Sequence, residues 1–299
     1  MYESFYGLNT DPFRLTADHR FCFNHPGYVR AKGSVQYALY RAEGFVMITG
    51  RPGTGKTTLA ADLMASLSPS RHRIGHIVST QLDDGDLLRM VAYAFGLDIQ
   101  EPHKANLLMR LMAFLAEQHL QGMRSVLIID EAQGLPPKAL HELRRLSDLQ
   151  HGTHPLLQIV LLGQEGLREM MRTPEMEPIH QRLVAAWHLE PLGPEDTIRY
   201  VRHRLEQAGW HGDPGFAPGV LPVVHTFSEG IPRRINLICS RLMLYAFLHE
   251  AHTITADDAQ RVVAELADSE LGRPTDSEDR VSPQSGLNRS SPRAAGGSG

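Results

Sequence analysis

The sequence predicts an α/β fold, a mostly parallel, buried sheet followed by a small all-helical domain, and three observations carry that prediction. From residue 44 to about 190, the apolar runs FVMIT, HIVST, SVLIID, LLQIVLLG and AAWHLEPL are separated by segments of helix length. That alternation is the signature of strands joined by crossover helices. After Pro191 the pattern changes, and residues 194–209, about 217–229, 231–249 and 255–268 carry apolar residues at helical spacing with no convincing strand between them. From Arg273 onward the composition turns to Ser, Pro, Gly, Arg and Asp, which cannot offset the entropy of ordering. The expected division is an N-terminal segment 1–43, an α/β core 44–192, a helical domain 193–271 and a disordered tail 272–299.

The first run, FVMIT, leads into GRPGTGKT at residues 50–57, which matches GxxxxGK[ST], and the helical TTLAADLMASL follows. Gly50, Gly53 and Gly55 allow backbone amides to close around a phosphate. Arg51, Pro52 and Thr54 complete the loop, Thr58 follows on the helix, and the helix N-terminus adds partial positive charge. Lys56 is placed to reach the β and γ phosphates of a nucleotide, and Thr57 to bind Mg2+. Of 30 basic residues only four are lysines. A compact ammonium is kept here, where a bulky guanidinium would not fit.

One extra strand, HIVST, lies between this loop and the next acidic strand, SVLIIDEAQ. The acidic strand ends in two carboxylates with different tasks. Asp130 orients the Mg2+ shell, and Glu131 is placed to polarise an attacking water. The central run LLQIVLLG ends at Gln164, which either orients that water or serves as a loop residue capping the next helix. In MEPIHQRLVAAWHLEPL a short helix carries Arg182 in its last turn, at the domain edge. There it reads as a finger for a neighbour's nucleotide or as a surface arginine.

In the helical part, Thr255 is a fair N-cap, with Asp257 and Asp258 favourably placed in the first turn. The stretch GIPRRIN at 230–236 combines a glycine turn with Pro232 at the first helical position. Consecutive helical residues point about 100° apart, so Arg233 and Arg234 cannot both reach one γ-phosphate.

Composition bounds the alternatives. With 299 residues, 42% hydrophobic, the chain can bury a sizeable core. The N-terminus has no basic head followed by an apolar core, and no run approaches the roughly 18 apolar residues of a membrane span. The expected location is the cytoplasm. Cys22 and Cys239 lack the density of a disulfide scaffold and the spacing of a zinc site, and the 16 histidines are scattered. The net charge is −4 and no like-charge block reaches five residues, which disfavours nucleic acid or a lipid surface as partner.

Taken together, MYESFYGLNTDPFRLTADHRFCF, GRPGTGKTT, VLIIDEAQGLP, LLQIVLLGQEGL, HQRLVAAWHLEPL and GIPRRINLICSRLMLYA resemble the AAA+ ATPases, over roughly residues 1–268. The resemblance is closer to the general secretion pathway A (ExeA-like) group and its relatives in transposition. Within that group it is closest to the secretion ATPases associated with exosortase and exopolysaccharide loci. It implies an AAA+ P-loop NTPase of the additional-strand type with a helical lid, binding ATP and Mg2+. By position it makes Lys56 and Thr57 the Walker A residues, Asp130 and Glu131 the Walker B pair, Gln164 the first sensor, Arg182 the finger and Arg233 the second sensor. Phe13 and Tyr28 fall in the segment that flanks the adenine. For Arg234 an acidic partner, a subunit contact and a solvated position stay open. Rings or filaments, most often hexameric, are implied. ExeA-type members carry a transmembrane helix and a peptidoglycan-binding domain beyond the ATPase, and neither is seen here, so an envelope role is expected to run through a membrane partner.

Three functions compete: a motor or switch for an envelope secretion or exopolysaccharide-export system, a DNA-binding regulator of transposition, and a nucleotide-binding module without hydrolysis. Asp83, Asp84 and Asp86, expected to face a central channel, would repel a phosphate backbone. The pairing of Asp130 and Glu131 with Arg182 disfavours the third.

Overall fold

The computed structural model describes residues 1–16, 18–41, 44–78, 87–98, 100 and 103–268. Asp83, Asp84, Asp86 and the segment 272–299 lie outside the described residues. The chain begins with α1 (Tyr2–Phe5) and α2 (Pro26–Arg41), then enters β1 (Phe45–Gly50), α3 (Lys56–Ser66), β2 (His72–Val78), α4 (Leu87–Ala94) and α5 (Lys104–Leu120). It continues through β3 (Arg124–Asp130), α6 (Pro137–Ser147), the small hairpin β4 (Gln150–His151) and β5 (His154–Pro155), β6 (Leu157–Gly163), α7 (Glu165–Met171), α8 (Glu177–His180) and β7 (Leu183–Leu189). The remainder is α9 (Pro194–Gln207), β8 (Gly215–Phe216), α10 (Val220–Ser228), α11 (Pro232–Leu248), β9 (Thr253–Ile254) and α12 (Ala256–Asp268).

The five long strands form one parallel sheet in the order β2-β3-β6-β1-β7. Position in the sheet explains the sequence of each strand. The inner strands β1, β3 and β6 are covered on both faces and read as unbroken apolar runs. The edge strands β2 and β7 alternate between covered and exposed residues. One sheet face packs Phe45, Leu127 and Leu161 against Leu111 and Leu115 of α5 and Leu140 and Leu143 of α6. The other packs Val46, Ile48, Ile128 and Val160 against Val35 of α2 and Leu59 and Leu63 of α3. Each of these fully buried side chains contributes about 1.5–3 kcal/mol, so the sheet is a firm platform for the loops at its ends.

The helices after residue 193 share a separate core centred on Ile235, Ile238, Leu242 and Met243 of α11. Thr255 and Asp258 cap α12 reciprocally: Asp258 N donates to Thr255 Oγ1 (3.3 Å) and Thr255 N to Asp258 Oδ2 (2.9 Å). The N-terminal segment divides between the two cores. Tyr2, Tyr6, Leu8 and Phe13 pack with the helical core, whereas α2 packs on the sheet. Arg204 of α9 fastens the first part by donating to the carbonyls of Pro12 (2.6 Å) and Arg14 (3.0 Å). Residues 1–14 thus travel with the helices, an attachment that hydrophobic periodicity in so short a segment cannot announce.

Candidate functional site

From the end of β1 the chain turns through residues 51–55 into α3. Gly53 has φ +83°, and a Cβ there would lie 2.7 Å from the Cβ of Arg233, so the turn demands glycine. The same contact shows where α11 begins: Arg233 N donates to Gly53 O (3.2 Å), docking the helical core on the loop. Thr54 Oγ1 tightens the turn by donating to Arg51 O (2.8 Å). No side chain caps α3, so its first-turn amides point into the loop. Lys56 is 5% exposed and donates Nζ to the carbonyls of Gly50 (2.9 Å) and Arg51 (3.0 Å). Burial holds its pKa below the ordinary lysine value, with Glu131 and Asp130 opposing.

The sheet order then assembles the remaining groups. Because β6 lies between β1 and β3, Gln164 at its end falls between the phosphate loop and the acidic strand end. Asp130 is buried: its Oδ2 accepts from Thr57 Oγ1 (2.7 Å) and its Oδ1 from Glu131 N (2.9 Å). Gln164 stands at the N-cap of α7, yet its side chain does not cap the helix; its Nε2 donates to Glu131 Oε2 (3.2 Å). Pro52, Gly53, Thr54, Gly55, Lys56, Thr57, Thr58, Glu131, Gln164 and Arg233 all line one cavity of about 440 Å³. Its far wall comes from the N-terminal segment. Tyr28 lines it, its hydroxyl donating to Asp62 of α3 (2.8 Å), beside Cys22, whose thiol burial pushes up. Phe21 also lines it, with the guanidinium groups of Arg14 (5.1 Å) and Arg204 (4.7 Å) over its ring. Phe13 is buried in the helical core instead.

Arg182 is not brought to this cavity. It precedes β7 at the opposite end of the sheet, where its carbonyl accepts from Phe45 N (2.8 Å) and its guanidinium pairs with Asp148. Two participants have no signal in the sequence. Gln133 donates to Glu131 from the turn after β3, and Glu229 binds both Arg51 of the loop (2.7 Å) and Arg234 of α11 (3.0 Å). Those two arginines hold the Glu229 carboxyl below its usual range.

Residues 40–171 match the family model described as AAA domain. Residues 40–171 form an AAA domain. General secretion pathway protein A of Aeromonas hydrophila is 37% identical over 272 residues, covering 89% of this chain and 49% of that protein, so the chain spans about half of that relative's length. The fold recurs in Cdc6p from Pyrobaculum aerophilum (TM-score 0.63, 14% identity, 84% of this chain and 71% of that one). It recurs also in the Aeropyrum pernix ORC2 protein solved as ADPNP-ADP complexes (TM-score 0.62, 16% identity, 84% and 72%). The chain has the AAA+ P-loop NTPase fold.

The AAA domain's residues suit a nucleoside triphosphate with Mg2+. A buried ammonium and the uncapped start of α3 meet at one end of a cavity of a size suited to small ligands. Thr57 and Asp130 supply the hard oxygens Mg2+ prefers. Ahead of α11, Gly230 has φ +69° and packs on Leu192, whose carbonyl oxygen would lie 2.0 Å from any Cβ. Pro232 then starts α11, so Arg233 faces the cavity while Arg234 turns to Glu229. Arg233→Ala should weaken ATP-induced thermal stabilisation by the equivalent of about tenfold or more in affinity, the loss of a hydrogen bond to a charged group. Arg234→Ala should cost about fivefold at most, since its pair with Glu229 is partly exposed. Equal losses would show that this division of roles is wrong.

Proposed function

We propose that the chain binds ATP with Mg2+, hydrolyses the γ-phosphate bond, and uses the cycle as an oligomeric motor or switch for an envelope secretion or exopolysaccharide-export system. The observation that carries the chemistry is the convergence of Lys56, Thr57, Glu131 and Gln164 on one cavity with Arg233 of the lid, with Asp130 behind the lining and bonded to Thr57. Lys56 and the loop amides bind the phosphates. Thr57 and Asp130 would hold Mg2+, which supplies charge neutralisation on the phosphate oxygens. Glu131 accepts the proton of the attacking water, and Gln164 orients that water. Arg233 joins residues 193–268, which we treat as a lid domain, to the core 44–192 when nucleotide is present.

The pathway assignment is supported by the likeness to general secretion pathway protein A. No described helix is long and apolar enough to cross a membrane. We place the chain at the cytoplasmic side of the inner membrane through a partner protein. The purified chain should convert ATP to ADP and phosphate in a phosphate-release assay, and EDTA should abolish turnover. Full turnover in EDTA would count against the Mg2+ role of Thr57 and Asp130.

A further inference from the structure

Glu131 has a left-handed backbone (φ 54°), a conformation costly for any residue with a Cβ. The tight turn 132–134 follows at once, with Gly134 N donating to Glu131 O (2.9 Å), and it folds Gln133 back behind the carboxylate. The Gln133 amide then joins two strand ends. Its Nε2 donates to Glu131 Oε2 (2.5 Å), and its Oε1 accepts from Gln164 N (2.9 Å). Gln164 closes the ring by donating its own Nε2 to the same Glu131 oxygen (3.2 Å). Glu131 and Gln164 line the cavity, and Gln133 is not among the lining residues.

We propose that Gln133 is a positioning residue for water activation, holding Glu131 Oε2 against two amide donors so that Oε1 is presented to the water. The proposal rests on the hydrolysis reading above. A glutamate side chain has three rotatable bonds, and a general base must stand within hydrogen-bond reach of the proton it takes. Two donors on one carboxylate oxygen remove most of that freedom. Bridging to Gln164 N also fixes the carboxylate relative to the end of β6, where the second water-facing group begins. Gln133 does this without touching the nucleotide, so its loss should act on the chemical step and not on binding.

Two variants separate this role from mere support of the turn. Gln133→Ala removes both arms of the bridge. Gln133→Glu keeps an acceptor for Gln164 N but sets a carboxylate oxygen against Glu131. At pH 8 both should lower kcat about 10- to 100-fold, the scale of a misplacement near 1 Å, with KM and ADP affinity within about twofold of wild type. Wild-type kcat in Gln133→Glu would overturn the inference, as would a kcat above wild type. So would a rise in KM or loss of ADP affinity in step with kcat, since Gln133 would then be shaping the loop. A wild-type chain that binds ATP without turning it over would overturn the hydrolysis reading itself. Wild-type turnover with an unaffected Gln133→Glu would overturn the inference alone.

Discussion

Glu131→Gln should give a chain that binds ATP and keeps it, with turnover reduced about 10²- to 10⁴-fold. The substituted amide has nearly the shape of the carboxylate, and its oxygen can still accept from the Gln133 and Gln164 amides that now meet Glu131 Oε2. The backbone at position 131 keeps the same demands. Nothing in the phosphate loop changes either: Lys56 stays on the Gly50 and Arg51 carbonyls, and Thr57 on Asp130. What is lost is the ability to accept a proton from water, which an amide lacks near neutral pH. Because the loss falls on the transition state and spares ground-state binding, kcat drops while affinity holds. A 10²-fold effect corresponds to about 2.7 kcal/mol of barrier. Single-turnover hydrolysis, with nucleotide retention after gel filtration, measures both quantities. Undiminished turnover would remove Glu131 from the role of base, and loss of ATP retention would mean that the carboxylate also organises binding.

The chemistry of this site was far more legible in the sequence than its supports. The inner strands announce themselves because burial on both faces permits nothing but apolar side chains, and GRPGTGKT because its turn tolerates few other residues. The helices after residue 193 stand close to their expected ranges, α10 beginning at Val220 after a glycine at φ +96°. Strand order was not legible: that β6 inserts between β1 and β3, and so delivers Gln164 to Glu131, depends on long-range pairing without a local pattern. Gln133 sits in a tight turn, where residue spacing does not say which way a side chain faces. Glu229 binds Arg51 across a long sequence separation, and a lone glutamate beside a glycine turn carries no mark of that contact. The aromatic residues of the first 13 positions signal burial but not against which core.

Arg182→Ala should lower turnover about 10³-fold or more without weakening ATP binding, and the reason lies in where the sheet puts it. β7 starts beside Phe45, at the end of β1 remote from Gly50. The intervening strand spans about 17 Å at roughly 3.3 Å per residue, beyond an arginine's reach. Arg182 therefore cannot serve its own cavity, and on the oligomeric reading proposed above it would act on that of a neighbouring subunit. To do so it must leave Asp148, but both side chains of that pair are substantially exposed (40% and 34%), and such pairs contribute about 1 kcal/mol at most. A 10³-fold rate gain amounts to about 4 kcal/mol of transition-state stabilisation, so the exchange favours reaching across the interface. The decisive measurement is complementation. Arg182→Ala subunits keep an intact Lys56, and Lys56→Ala subunits keep an intact Arg182. In a head-to-tail ring, random mixing makes up to about a quarter of interfaces complete. Turnover should therefore rise to a maximum near equimolar mixing of two nearly inactive variants. No rescue at any ratio would place Arg182 outside the reaction, and a large loss of ATP affinity in Arg182→Ala would indicate instead that its pair with Asp148 supports the sheet edge.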